Sequence, residues 1–126
     1  MAPSHRPSMD LPAIALTTLQ GERVPLRGDP PAPRLLLVYK RDCETCGLLL
    51  PALERLSRAL HGRGLATIGV SQSSADDTLD AINEHGLCFP QTLDEGLALS
   101  LALDVEVVPA LILADARGAI VERTDA

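Results

Sequence analysis

The chain has 126 residues, one domain by length and enough to bury a core without disulfide staples. Its hydrophobic share of 46% is mostly Leu, Val, Ile and Ala, Tyr39 and Phe89 are the only aromatics, and the formal net charge is -6. No block of Lys and Arg offers a phosphate-binding face, so nucleic acid is not an expected partner; no apolar run approaches the roughly 18 residues that span a bilayer, so no membrane partner is expected either.

The opening MAPSHRPSMD contains no hydrophobic segment and is not a secretory signal, which makes the cytoplasm the expected compartment, with a periplasmic or membrane-anchored parent as the alternative if the chain is part of a longer one. With two prolines and two serines, residues 1–10 are expected to form a mobile tail, leaving 11–126 as the domain. LPAIALTTLQGERVPL follows with two short apolar segments about Gln20-Gly21, the pattern of a hairpin, and RGDPPAP is a proline-rich connector. Leu35–Lys40 (LLLVYK) is a continuous apolar run of strand length, as in a strand covered on both faces.

A helix is predicted next, with Leu49, Leu53, Leu56 and Leu60 on its apolar side and Glu54, Arg55 and Arg58 facing elsewhere. It should stop at HGRG, where glycines relieve the backbone. LATIGVS reads as a second buried strand. Ser73 or Ser74 then caps a helix whose first turn carries Asp76 and Asp77 and whose end is His85-Gly86. LCFPQTL is extended because Pro90 biases Phe89 away from helical angles. DEGLALSLALDV reads as a short helix, and ALILADARGAIVERT as two strands about a turn at Asp115–Gly118. Strand, helix, strand, helix and hairpin together predict an α/β fold: a mixed central sheet flanked by helices.

The chemistry lies in CETC. Three cysteines are an odd count, which argues against a stapled secreted scaffold. A thiol at Cys43, in the first turn of a helix directly after a strand, meets free backbone N–H groups that favour its thiolate. Cys46 lies one turn deeper on the same face, within reach for a disulfide. An exposed attacking sulfur with a buried partner suits thiol–disulfide exchange. Pro51, inside the predicted helix, removes one backbone hydrogen bond and favours a bend beyond the cysteine-bearing turn. The competing reading is that both cysteines are small buried apolar residues.

CETC with Pro51 five residues after its second cysteine, together with VEVVPALIL, resembles the thioredoxin-like superfamily. FPQTLD, VEVVP and LADARGAIV are most similar to its branch of reductases related to cytochrome-maturation proteins and peroxiredoxins. The resemblance runs from Leu11 to Val121 and implies a thioredoxin-like fold with an N-terminal hairpin extension. It implies a thiol–disulfide oxidoreductase with Cys43 as nucleophile, Cys46 as resolving thiol and no organic cofactor. It further implies a cis bond before Pro109 and a backbone at Val108 that receives an extended substrate peptide. The partner is then a protein or a small-molecule disulfide or thiol, together with an electron donor that the residues do not name.

Several positions depart from that pattern. Asp42 stands where a Trp often precedes the first cysteine, and Thr45 where a Pro often precedes the second. The buried acid of the preceding strand is replaced by Leu37, and the branch's Glu between the second cysteine and the proline by Leu49. Proton transfer at Cys46 must then use water, a substrate group or Glu44. Asp42 and Glu44 disfavour a thiolate at Cys43, while Lys40 and Arg41 oppose them; Asp42 also suits a helix cap. The final helix usual in this fold is missing from the pattern, so either the N-terminal segment covers the face it leaves or a second copy does, and a homodimer is expected on the latter ground.

Two rivals remain besides a thioredoxin-like binding module with idle cysteines. Cys43, Cys46, His85 and Cys88 are a ligand set of the right type for zinc or copper, with a spacing unlike that of a zinc ribbon and with His85 and Cys88 expected away from the CETC turn. A peroxidase would carry a Thr three residues before its attacking cysteine; Lys40 stands there instead. Cys88, between Leu87 and Phe89, is expected to be a packed core thiol, with a third redox centre as the alternative.

Overall fold

The computed structural model describes residues 9–28 and 31–125, so the expected mobile tail falls largely outside the described residues. Its last two positions are tied down: Asp10 bridges to Ala119, and the Met9 carbonyl accepts the Ile120 amide at 2.8 Å.

Seven strands form a single sheet, β1 (Ala15–Thr18), β2 (Arg23–Pro25), β3 (Arg34–Tyr39), β4 (Ala66–Ser71), β5 (Gln91–Leu93), β6 (Ala110–Ala114) and β7 (Ile120–Asp125), in the order β2-β1-β5-β4-β3-β6-β7. β3, β4 and β5 are parallel; the remaining pairings are antiparallel. The central strands are apolar on both faces because both are covered. On one face, α1 (Glu44–Ala59) and α2 (Ala75–His85) bury Leu50, Leu53 and Ala81 against Leu37 and Tyr39. On the other, α3 (Ala98–Ala102) and the N-terminal segment bring Leu99, Leu11, Leu16 and Leu26 onto Leu36, Val38 and Ile112. Each such leucine contributes roughly 1.5–3 kcal/mol of burial. The N-terminal segment thus covers the face opposite α1. Leu35, Leu111 and Leu113, which alternate with the other face's core residues, remain half-buried on the α1 side.

The helices differ from the sequence expectation in three places. The buried face of α1 is Cys46, Leu50, Leu53 and Glu54, whereas Leu56 is 44% exposed. Glu54, expected to face away, is buried because the neighbouring loop supplies its hydrogen bonds: its carboxylate accepts the amides of Cys88 at 2.6 Å and Phe89 at 3.2 Å, and Arg58 Nε at 2.6 Å. DEGLALSLALDV does not form one continuous helix; Gly96 and Leu97 take positive φ, separating a 3-10 turn at Glu95–Leu97 from α3. Of the two serines expected as caps, Ser74 takes the place at α2, accepting the Asp77 amide at 3.1 Å. Gly86 closes α2 in the left-handed region that favours glycine.

Candidate active site

β3 ends at Tyr39, and four residues later the chain enters α1 with Cys43 itself as the cap. Asp42, expected as a possible cap, is exposed and leaves that place to the sulfur. Cys43 has extended backbone angles, and its Sγ accepts the Cys46 amide at 3.2 Å. A free amide of the first turn is therefore spent on the sulfur, the arrangement that favours negative charge there. Cys43 is half-buried, and its Sγ lies 3.8 Å from the Val108 carbonyl, which accepts from the thiol. The Val108–Pro109 bond is cis. The structure thus brings Cys43, Cys46 and Val108 together, with Pro109 beside them.

Cys46 has the opposite environment. It is fully buried beside Leu50 and Tyr39, and its thiol is pushed up to about 12, first by burial and then by the hydrogen bond and charge it shares with Cys43. Its proton is held through the neutral range. The two sulfurs differ as an outer and an inner member of one helical turn.

At the positions of the missing acids, Leu37 is fully buried in the same cluster as Cys46 and Leu49 packs against it. Tyr39, the chain's only tyrosine, stands in that cluster, its hydroxyl donating to Gln91 Oε1 at 2.8 Å. Burial raises that hydroxyl to about 12, so it is not a base at neutral pH. Gly69 makes this packing possible, since a Cβ there would sit 1.9 Å from Gln91 Oε1.

Arg41, expected to offset Asp42 and Glu44, is directed elsewhere. It pairs with Asp80 at 3.2 Å and Glu84 at 3.1 Å on α2, while its amide donates to Ser73 Oγ at 2.9 Å. The loop before Cys43 is therefore anchored to α2, a role legible only once the two elements are adjacent. His85 also stands nearer the cysteine turn than expected, since a side chain at Gly47 would come within 3.9 Å of its Nε2. Even so, the proposed ligand set does not converge: among the described residues no group of three or more His, Cys, Asp or Glu side chains could hold a metal ion. Cys88 is exposed rather than packed in the core, with Leu87 and Phe89 turned inward on either side.

Relatives of this chain carry comparable names. It is 28% identical over 110 residues to the thiol-disulfide oxidoreductase ResA of Halalkalibacterium halodurans, a match covering 86% of this chain and 62% of that protein. The ResA of Bacillus anthracis is 24% identical over 115 residues, covering 90% of this chain and 66% of its own length. The chain thus spans about two thirds or less of these curated relatives. Among solved structures, the thioredoxin domain of a thiol-disulfide oxidoreductase from Bacteroides vulgatus superposes with a TM-score of 0.83 at 26% identity, over 91% of this chain and 85% of that one. A secreted Mycobacterium tuberculosis disulfide oxidoreductase shares the fold with a TM-score of 0.78 at 18% identity, over 90% of this chain and 84% of the other. The pattern of the AhpC/TSA family matches residues 7–123, and the chain belongs to that thioredoxin-like family.

Proposed function

We propose that the protein is a thiol–disulfide oxidoreductase in which Cys43 attacks and Cys46 resolves. The observation that carries this reading is the asymmetry of the pair: a half-exposed sulfur at a helix cap and a fully buried partner whose amide it accepts. The Cys43 thiolate attacks one sulfur of a substrate disulfide, forming a mixed disulfide and expelling the other substrate sulfur as a thiolate. Cys46 then loses its proton and attacks Cys43 Sγ. The Cys43–Cys46 disulfide forms, the second substrate thiolate leaves, and two electrons have passed to the substrate. The reverse sequence regenerates the dithiol at the expense of a donor thiol.

Val108 and Pro109 are the proposed substrate platform, the Val108 carbonyl lying beside the attacking sulfur where an extended peptide can pair with the backbone. The substrate class is a protein or small-molecule disulfide. The half-buried Leu35, Leu111 and Leu113 support a homodimer through the α1 side of the sheet, which light scattering over a dilution series tests; a monomer at all concentrations removes it. No helix among the described residues is long and apolar enough to cross a membrane. The cytoplasm is the proposed compartment, to be tested by fractionation of the native host.

Trapping tests the roles. Cys46→Ser should hold covalent partners on Cys43, released by dithiothreitol, and Cys43→Ser should hold none. Equal capture by both variants, or by neither, overturns the assignment. A binding module with idle cysteines would also fail to reduce insulin with dithiothreitol as donor.

A further inference from the structure

Beside the end of α1 remote from Cys43 lies the third thiol, Cys88, in a different setting. A cavity of about 760 Å³ opens between the last turns of α1 and the starts of β4 and β5, walled by Ile68, Phe89 and Val24 and rimmed by Arg34, Arg58 and Cys88. Its volume suits a small organic ligand. Fifteen residues of helix separate Cys43 from Arg58, about 22 Å along the axis, so this cavity is not part of the site already described.

The polar groups here are unevenly satisfied. Both Glu54 oxygens are occupied, one by the Cys88 and Phe89 amides and the other by Arg58 Nε. Arg58 has a second nitrogen directed at the thiol, Nη2 lying 3.7 Å from Cys88 Sγ. Arg34 has no carboxylate partner among the described residues. Its Nε is buried without a hydrogen bond, and its guanidinium is wedged so tightly over Gly28 that a Cβ there would lie 1.7 Å from Nη2. Burial lowers the Arg34 pKa from its ordinary value, as expected for a cation short of compensation. His61 adds a further hydrogen-bonding group to the wall. In a chain of net charge -6, the cavity thus holds one guanidinium, Arg34, without an ion-pair partner among the described residues, and a second, Arg58, that is paired with Glu54 and faces the exposed sulfur.

We propose that Cys88 is a second exchange site, at which the cavity admits the disulfide of a carboxylate-bearing low-molecular-weight thiol and retains half of it as a mixed disulfide. The Cys88 thiolate attacks one sulfur of the incoming disulfide. One S–S bond forms and one breaks, and the other half departs as a thiolate with its electron pair, so no further oxidant is needed. Arg58 faces the sulfur at which charge is lost, and Arg34 receives a carboxylate of the retained half. No second cysteine lies beside Cys88 to resolve the product, so the adduct persists until an external thiol removes it.

The test uses the full chain carrying Cys43→Ser and Cys46→Ser, which leaves Cys88 as its only thiol, and oxidised glutathione and cystamine as anionic and cationic probes. Intact-protein mass gives the rate of adduct formation. Glutathione disulfide should react about tenfold faster than cystamine despite the protein's negative charge. Arg34→Met should remove about tenfold of that rate, the scale of a hydrogen bond to a charged group, and leave cystamine unaffected. Should Arg34→Met fail to fold, the parent double variant still decides: added sodium chloride should slow the glutathione reaction and not the cystamine reaction. Equal rates for the two probes, or equal slowing of both by Arg34→Met, would overturn the proposal. Because neither Cys43 nor Cys46 takes part, its failure leaves the proposed oxidoreductase chemistry untouched, and the converse holds.

Discussion

The two ends of α1 each hold a cysteine, and they treat it differently. At the N-terminal end Cys43 caps the helix, receives a backbone amide and has a buried partner one turn on. At the C-terminal end Cys88 belongs to a neighbouring loop, contacts a side-chain guanidinium and has no cysteine within reach. The first end gives its sulfur a backbone donor and a buried thiol one turn away. The second clamps a loop through one buried carboxylate, Glu54, and leaves its sulfur facing solvent. A thiol's chemistry here follows from what holds it and what stands behind it, more than from exposure alone.

The largest expected effect that would break this comparison is at the N-terminal end of α1. Cys43→Ser should abolish dithiothreitol-driven insulin reduction, a fall of about a thousandfold or more, comparable to removing a nucleophile elsewhere. Thermal stability should barely change, since the substitution keeps the shape and an acceptor at the cap.

At the C-terminal end the order reverses, with stability as the sensitive quantity. Glu54→Ala strands the Cys88 and Phe89 amides and should cost about 2–4 kcal/mol in chemical denaturation at neutral pH. For Glu54, burial pushes the carboxyl up, but the Cys88 amide, Arg58 and the Phe89 amide together outweigh it, and the net direction is down. A carboxyl depressed in the folded state contributes stability that is present above its unfolded pKa. That stability is lost as pH falls through the folded value. The gap between the parent and Glu54→Gln should therefore hold at neutral pH and narrow as the medium is acidified below the ordinary carboxylate range; a gap that widens on acidification contradicts the clamp.

A smaller effect probes the packing behind Cys46. Gly69→Ala would drive Gln91 from its place and break the bond from the Tyr39 hydroxyl, at about 1–3 kcal/mol. Smallest of all, Arg41→Ala should lower the melting temperature slightly, by an amount that shrinks with added salt, because both of its ion pairs lie at the surface.

The hairpin, the buried strands and both long helices were legible from apolar periodicity and from glycine and serine at their ends. The face of α1 was not. Leu48, Leu49, Leu50, Leu53, Leu56 and Leu60 offer more than one apolar stripe, and the stripe chosen depends on packing against Leu37, Tyr39 and Phe89, which the wheel does not contain. Glu54 could not be read as buried, because its partners lie 34 and 35 residues away. Cys88 was readable in principle: in LCF, Leu87 and Phe89 point inward, and alternation turns the residue between them outward. Arg41 looked like a counter-charge to its neighbours in sequence and instead pairs with α2, a contact set by the parallel pairing of β3 and β4, which brings the loop after one beside the helix after the other.

The measurement closest to the central claim is competitive alkylation of the reduced protein with iodoacetamide across neutral and mildly alkaline pH, read cysteine by cysteine after proteolysis. Cys43 should be modified first at every pH, and Cys46, with its thiol near 12, should stay protected until the protein unfolds. Labelling of Cys46 as fast as Cys43 in the folded protein would contradict the division into an attacking and a resolving sulfur.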